Sequence, residues 1–389
     1  MSVTSRATAR RWASALAGTV AVALATPALA RLPVQESDLD AGRLLAMARG
    51  SSDVAHQGLV ETAGSLGLPD LPRLGGVAAL LGGTTRARVW WRSPAAWRVD
   101  RITATGESGS YAIPGGVQTW DFERSAVERS IRSAAVHLPR VDDLLPPQAA
   151  RRALAGVTAR DRVSALPARK VAGRQADGVR IVPADRSSTV ARLDLYVDVR
   201  TGLPLSLLVM ARGSSVPALR TAFVELSLSP PALEVLRAQT PPFSRVRTTS
   251  TPDLAAAVDR FAPFALPARL GGSPRSRGVV GSGGGSATYG RGLARFVLLP
   301  LPPRLGRPAI DAATDGGGTV LDVGGDGDGD GEAVLIATPL LNAVVAHSHR
   351  QPDGSLGRRG RSYLLAGTVD AATLHAAVRE LVADPPPLR

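Results

Sequence analysis

The chain has 389 residues, no cysteine and a formal net charge of +13, with Lys170 its single lysine, so nearly all of the positive charge is arginine. The lack of thiols excludes disulfides, thiolate metal sites, a cysteine nucleophile and a lipidated N-terminal cysteine. Stability must then come from buried apolar surface, and the length suffices for two domains with ordinary cores.

At the N-terminus Arg6, Arg10 and Arg11 precede an apolar run over residues 13–25, followed by the small-residue site Ala28-Leu29-Ala30. This pattern predicts a signal peptide over 1–30, cleaved near Ala30, and an extracytoplasmic protein. An uncleaved N-terminal anchor, at the short end of a membrane span, is the alternative. No later segment is long and apolar enough to span, so the mature chain is at most peripheral to a membrane. Its scattered arginines fit either attraction to an anionic surface or a compositional bias, and no nucleic-acid module is present.

Residues 37–49 read as a helix with Leu44, Leu45 and Ala48 on one face and Ser37 or Asp38 as the cap. The period then changes to two, predicting strands over 56–68, 86–92, 97–104, 117–122 and 126–138. Four of the five tryptophans lie between Trp90 and Trp120. Along 86–92, Ala87, Val89 and Trp91 share one side, and Arg86, Arg88, Trp90 and Arg92 the other, as in an antiparallel sheet with one wet face. A short helix follows over 146–154, then strands from 162 to 229. Leu193, Leu195, Val197 and Val199 alternate with charged residues up to Arg200-Thr201-Gly202, where glycine reverses the chain into a hairpin.

The polar, proline-bearing stretch 241–251 reads as a linker between a domain over 31–240 and a smaller α+β domain over 252–389. In the latter the pattern predicts a helix over 252–261, a Gly/Ser loop over 271–286, and strands over 294–299, 319–323, 333–338, 343–347 and 362–366. A closing helix over 370–383 buries Leu374, Ala377, Val378, Leu381 and Val382.

Patterns that suggest chemistry have simpler readings. The run from Asp326 to Asp330 imitates the first half of a calcium loop, but position twelve is Ala337 instead of a bidentate Glu. His347 and His349 would project from one strand face without an evident third metal ligand. Residues 281–285 are glycine-rich but lack the Lys-Ser/Thr of a phosphate loop. Asp142 and Asp143 precede a helix, where capping accounts for them. There is no G-x-S-x-G and no H-E-x-x-H. The chain therefore reads as a binding protein with no catalytic residues, no metal and no cofactor.

Several segments resemble the LolA/RseB-like superfamily of lipoprotein carriers and envelope-stress regulators. They are His56-Gln57-Gly58, Gly67 to Pro72, Arg88-Val89-Trp90-Trp91, Gln118-Thr119-Trp120-Asp121 and, the most specific, Asp198-Val199-Arg200-Thr201-Gly202-Leu203-Pro204. The resemblance implies an unclosed antiparallel β-barrel with helices on its concave face, here those near 37–49 and 146, enclosing an apolar cavity for lipid or lipoprotein acyl chains. Val89, Trp91, Trp97, Val99 and Trp120 are the cavity candidates that alternation selects within it. Tyr289 to Leu293, Thr338 to Asn342 and Leu364 to Thr368 resemble the smaller second domain of RseB-type regulators, which implies a membrane anti-sigma factor as partner and shifts weight from carriage toward regulation. A carrier would instead need a partner transporter.

Overall fold

The structure, a computed structural model, describes residues 37–67, 75–103, 106–131, 139–250, 265–276, 286–324, 331–350 and 356–387. Twelve segments pair into one sheet: β1 (His56–Gly64), β2 (Thr84–Ser93), β3 (Ala96–Ile102), β4 (Glu107–Ile113), β5 (Gly116–Asp121), β6 (Ala126–Ile131), β7 (Arg162–Val171), β8 (Arg174–Val182), β9 (Val190–Asp198), β10 (Pro204–Ala211), β11 (Pro217–Ser227) and β12 (Arg245–Ser250). Their order is β12-β6-β5-β4-β3-β2-β1-β11-β10-β9-β8-β7, so the sheet is open, with β12 and β7 at its edges. Neighbours run antiparallel except β12, which lies parallel to β6. This is the open, mostly antiparallel sheet that the sequence resemblance implies.

Two helices lie on one face, called inner below. In α1 (Ala41–Arg49) the Asp40 side chain caps the first turn by accepting from the Arg43 amide, and Leu44, Leu45 and Ala48 are buried. The other, α3 (Pro146–Leu154), begins on two prolines whose missing N–H groups are harmless in a first turn. Together they cover Val179, Ile181, Leu193, Leu195, Val197, Leu207 and Val209. Between them in sequence, α2 (Gly75–Gly82) lies against β1.

The β9–β10 hairpin shows why its motif is so specific. Asp198 accepts from the Arg200 and Thr201 amides, the Thr201 hydroxyl and the Arg174 guanidinium at 2.6–3.1 Å. Burial opposes its charge, but these hydrogen bonds outweigh it and hold the carboxyl below its ordinary range. Gly202 has φ +75, and a Cβ there would lie 2.8 Å from the Met47 carbonyl oxygen. Glycine is thus required both to turn the hairpin and to admit α1.

The segment 241–251, read as a linker, contains β12. Its alternation is masked by arginine and threonine, and the strand exists because β6 offers an unpaired edge. Beyond it a second sheet has the order β15-β16-β20-β19-β18-β17, built from β15 (Ala287–Arg291), β16 (Ala294–Leu301), β17 (Thr319–Leu321), β18 (Gly331–Ala337), β19 (Asn342–Arg350) and β20 (Leu356–Gly367); a small pair, β13 (Arg269–Leu270) and β14 (Ser273–Pro274), precedes it. Its faces are covered by α5 (Pro303–Asp315), through Ile310 and Ala313, and by α6 (Ala371–Ala383), through the five residues of the expected stripe. The expected helix over 252–261, the signal segment, the 281–285 glycines and the 326–330 acidic run lie outside the described residues.

Both sheets belong to one packed unit. The β8–β9 loop makes a β-bridge from Ser188 to Val369, with the Thr189 amide donating to the Thr368 carbonyl and the Asp370 amide to the Ser187 carbonyl. Leu293 and Leu340, from the second sheet's turns, pack into the same apolar cluster as α1 and α3.

Candidate binding surfaces

Val89, Trp91, Trp97 and Val99 all point to the inner face and are buried together with Val60, Ala87, Val117, Leu145, Leu203, Leu205 and Phe223. Trp91 and Trp97 are direct cross-strand partners with rings stacked at 5.9 Å. Their indole N–H groups donate to the Ser52 and Pro94 carbonyls. His56 stacks on the other side of Trp91 and meets Phe223 edge-on. Its Nδ1 donates to the Val54 carbonyl at 2.8 Å, while Nε2 has no partner. Burial drives its pKa down to about 4 against the opposing pull of that carbonyl. The loop before α3 closes this region: Thr62 and Thr221 both donate to the Leu144 carbonyl. The space beneath these strands is thus occupied by the protein's own side chains.

Trp120 does not join them. It pairs with Gly109 and Val127 and, three residues from the inward Val117, it faces the outer side. Alternation within a strand is reliable, but the phase of β5 cannot be set from the sequence because Val117, Gln118 and Trp120 offer apolar or long side chains to both faces. Trp90 is outward too, with the Arg98 guanidinium 4.9 Å from its ring and 5.1 Å from that of Tyr111. Arg98 also grips the buried Asp100 with two nitrogens. Over this outer surface runs an irregular strap, residues 231–244, that includes the one-turn helix α4 (Leu233–Leu236). Gln118 donates to the Gln239 carbonyl, Arg129 to the Thr240 hydroxyl and Arg92 to the Pro231 carbonyl. A recess of about 200 Å³ remains beside Arg98, Tyr111, Trp120 and Pro241.

A larger opening, about 620 Å³, lies where the two sheets meet. Thr158, Arg160, Asp161 and Asp185 line it from the first sheet's loops, Arg291 and Leu293 from the second sheet's β15–β16 turn, and Arg269 and Ser273 from the β13–β14 pair. Its wall is stiff: Asp161 accepts from the Thr158 amide and hydroxyl and from the Ala184 amide. Gly290, at φ +92, brings the backbone so close to Ala294 that a Cβ would meet its carbonyl at 2.2 Å. This cleft leaves little trace in the sequence because its residues come from four separated segments, at 158–161, 183–185, 269–274 and 290–293, of which only Tyr289 to Leu293 carried any signal.

His347 and His349 stand with rings 4.7 Å apart, and His347 Nδ1 is engaged by the Ser362 hydroxyl. Burial, aided by His349 and Arg307 and opposed by Glu332, lowers the His347 pKa. Among the described residues no group of three or more His, Asp or Glu is placed to hold a metal ion, and no helix is long and apolar enough to cross a membrane. Asp143 caps the turn at Arg140 and pairs with Arg152, and Asp142 pairs with Arg140.

No protein-family model matches the sequence, and a search of curated proteins gives no match. Among solved structures, the complex of Pseudomonas aeruginosa MucA/MucB is similar over 90% of this chain and 99% of that one, at 18% identity and a TM-score of 0.47. MucB in complex with periplasmic MucA is similar over 87% of this chain and 98% of that one, at 19% identity and a TM-score of 0.45. A LolA-superfamily protein from Nitrosomonas europaea is similar over 51% of this chain and 98% of its own, at 12% identity and a TM-score of 0.23. MucB and a LolA-superfamily protein are thus among the solved structures to which the chain is similar.

Proposed function

We propose that this protein is a non-enzymatic, extracytoplasmic binding protein of the regulatory kind, which takes up a segment of a membrane-anchored protein in the cleft between its two sheets. One observation carries the reading: the candidate acyl-chain positions under the aromatic strands are filled by His56, Phe223, Leu203 and Leu205, whereas the cleft lined by both sheets is open and, unlike the equally large recess on the outer side of β1 and β2, draws its walls from both parts of the chain. Arg160, Arg269, Arg291, Asp161 and Asp185 line it together with Pro183, Pro274 and Leu293, a mixture of charged and apolar groups that suits an extended peptide better than a hydrocarbon chain. The signal-like N-terminus and the second domain's resemblance to RseB-type regulators agree with it.

A photo-crosslinking residue at Arg291, tested on membranes of the producing cells, should capture a single-pass membrane protein. The same residue at Val224, on the exposed outer side of β11, should not. Native mass spectrometry of the purified chain distinguishes the carrier reading. A stoichiometric acyl-bearing adduct, lost on Trp91→Ala and not on Arg291→Glu, would overturn the proposal in favour of lipid carriage through the inner face.

A further inference from the structure

The corner where β5 turns into β6 carries a second arrangement, unrelated to the cleft. The chain has six phenylalanines, and two stand exposed here: Phe122 at 63% and Phe243 at 102%. Phe243 also has φ +64, a left-handed backbone that is a genuine outlier for a bulky residue. The turn at 122–125 and the segment entering β12 are held together: the Arg245 amide donates to the Ser125 carbonyl at 2.9 Å and its guanidinium to the Arg124 carbonyl at 3.2 Å. Trp120 supports Phe122 edge-on at 6.5 Å, and Val246 on β12 is a further exposed apolar side chain.

Charges of both signs stand at this corner. Arg124, Arg245 and Arg247 are exposed. Of the carboxylates on the turn, Asp121 is paired with Arg124 at 3.3 Å and Glu123 accepts from the Thr103 hydroxyl at 3.4 Å. Glu107 is exposed on the neighbouring strand, and Glu128, level with Arg247 across the β6–β12 pair, accepts from the Thr249 hydroxyl. Aromatic tips flanked by guanidiniums on long apolar stems form the combination that lets rings leave water while charges stay at headgroup level.

We propose that this corner is a membrane-contact tip, in which Phe122 and Phe243 enter the interfacial layer of an anionic phospholipid bilayer while Arg124 and Arg245 meet the headgroups. Size argues for a bilayer over a protein partner or a second copy. Two phenylalanines present about 400 Å² of side chain, so a partner covering them would bury about 800 Å² in total, below the ~1,200 Å² at which specific protein interfaces begin. A bilayer needs no shaped counter-surface, since each ring transfers independently. The chain stays strongly basic with the three arginines of residues 1–30 set aside, which favours anionic over zwitterionic lipid.

The absence of cysteine makes a local test simple. Glu123→Cys in the full chain, labelled with an environment-sensitive dye, is titrated with vesicles of phosphatidylglycerol and phosphatidylethanolamine, and separately with phosphatidylcholine alone. Blue-shifted, several-fold brighter emission is expected with the anionic vesicles. Adding Phe122→Ser and Phe243→Ser should weaken the response at least ~tenfold, with the thermal melt unchanged because neither ring is buried. A dye at Val224→Cys should report water throughout. Reading the dye at the corner separates this contact from any binding by residues 1–30. A probe that stays in water while the protein binds vesicles, a response untouched by the double substitution, or loss of a dimer without any vesicle response would each overturn the proposal.

Discussion

Under α1 and α3 the inner face of the large sheet buries Val179, Ile181, Leu193, Leu195 and Leu207, an aliphatic cluster continued by Val89, Trp91, Trp97 and Val99 beneath the turns at 51–53 and 141–144, whereas across β3–β6 the outer face buries Asp100, Tyr111 and Gln118 beneath the strap at 231–244. The difference follows from the covers. A helix satisfies its own backbone and presents only a stripe of side chains, so the sheet below it can be wholly apolar. An irregular strap brings unpaired carbonyls that need donors, and the sheet supplies them through Arg92 and Gln118. The cover thus decides whether an alternating strand buries grease or hydrogen-bonding groups.

The comparison can be broken first at its apolar side. Trp91→Ala should cost about 4 kcal/mol, from lost burial, cavity formation and loss of the indole bond to Ser52; chemical denaturation measures this. A loss below about 1 kcal/mol would mean that the inner face behaves as a fillable cavity and not as a packed core.

Next in size is the acid response of the same cluster. His56 is neutral when folded down to about pH 4 and titrates near 6.5 when unfolded. Its folded pKa is therefore depressed, and the unfolded chain takes up the proton first. Stability is full above pH 6.5 and falls as pH drops toward 4, by roughly 3 kcal/mol. In His56→Leu that slope should flatten in unfolding midpoints taken across the window. An unchanged slope would assign the acid sensitivity elsewhere.

The smallest effect belongs to the strapped side. Arg98→Met leaves the buried Asp100 without its paired donors and loses the contacts to Trp90 and Tyr111, yet the guanidinium is partly exposed and water can replace it. About 1–2 kcal/mol is expected. A double-mutant cycle with Asp100→Asn should return most of the loss; additive effects would show that the pair is not coupled.

Much of this fold was legible because local chemistry and tertiary role agree. Asp198, Thr201 and Gly202 specify their hairpin by themselves, and the stripe Leu374, Ala377, Val378, Leu381 and Val382 has one apolar face to bury. Other elements depend on partners that sequence order does not reveal. Strand β4, with Ser108, Gly109 and Ser110, has little propensity of its own and is held by β3 and β5. Helix α5 carries Pro308 and Gly306, which breaks its pattern, yet it packs Ile310 and Ala313 on the second sheet. For the candidate site, period two placed Val89 and Trp91 on one side correctly, but the face of Trp120 depends on the register of β5 against β4 and β6.

The bridge from Ser188 to Val369 has a thermodynamic consequence. Together with Leu293 and Leu340, which are seated among the lid-helix side chains, it makes part of each core a boundary condition of the other. Separating the sheets would strip two leucines from a dry cluster and leave the bridge amides of Thr189 and Asp370 without their acceptors. The free energy of parting is therefore drawn from the same contacts that hold α3 down. Local opening at the cleft and loosening of that helix are one fluctuation with one cost.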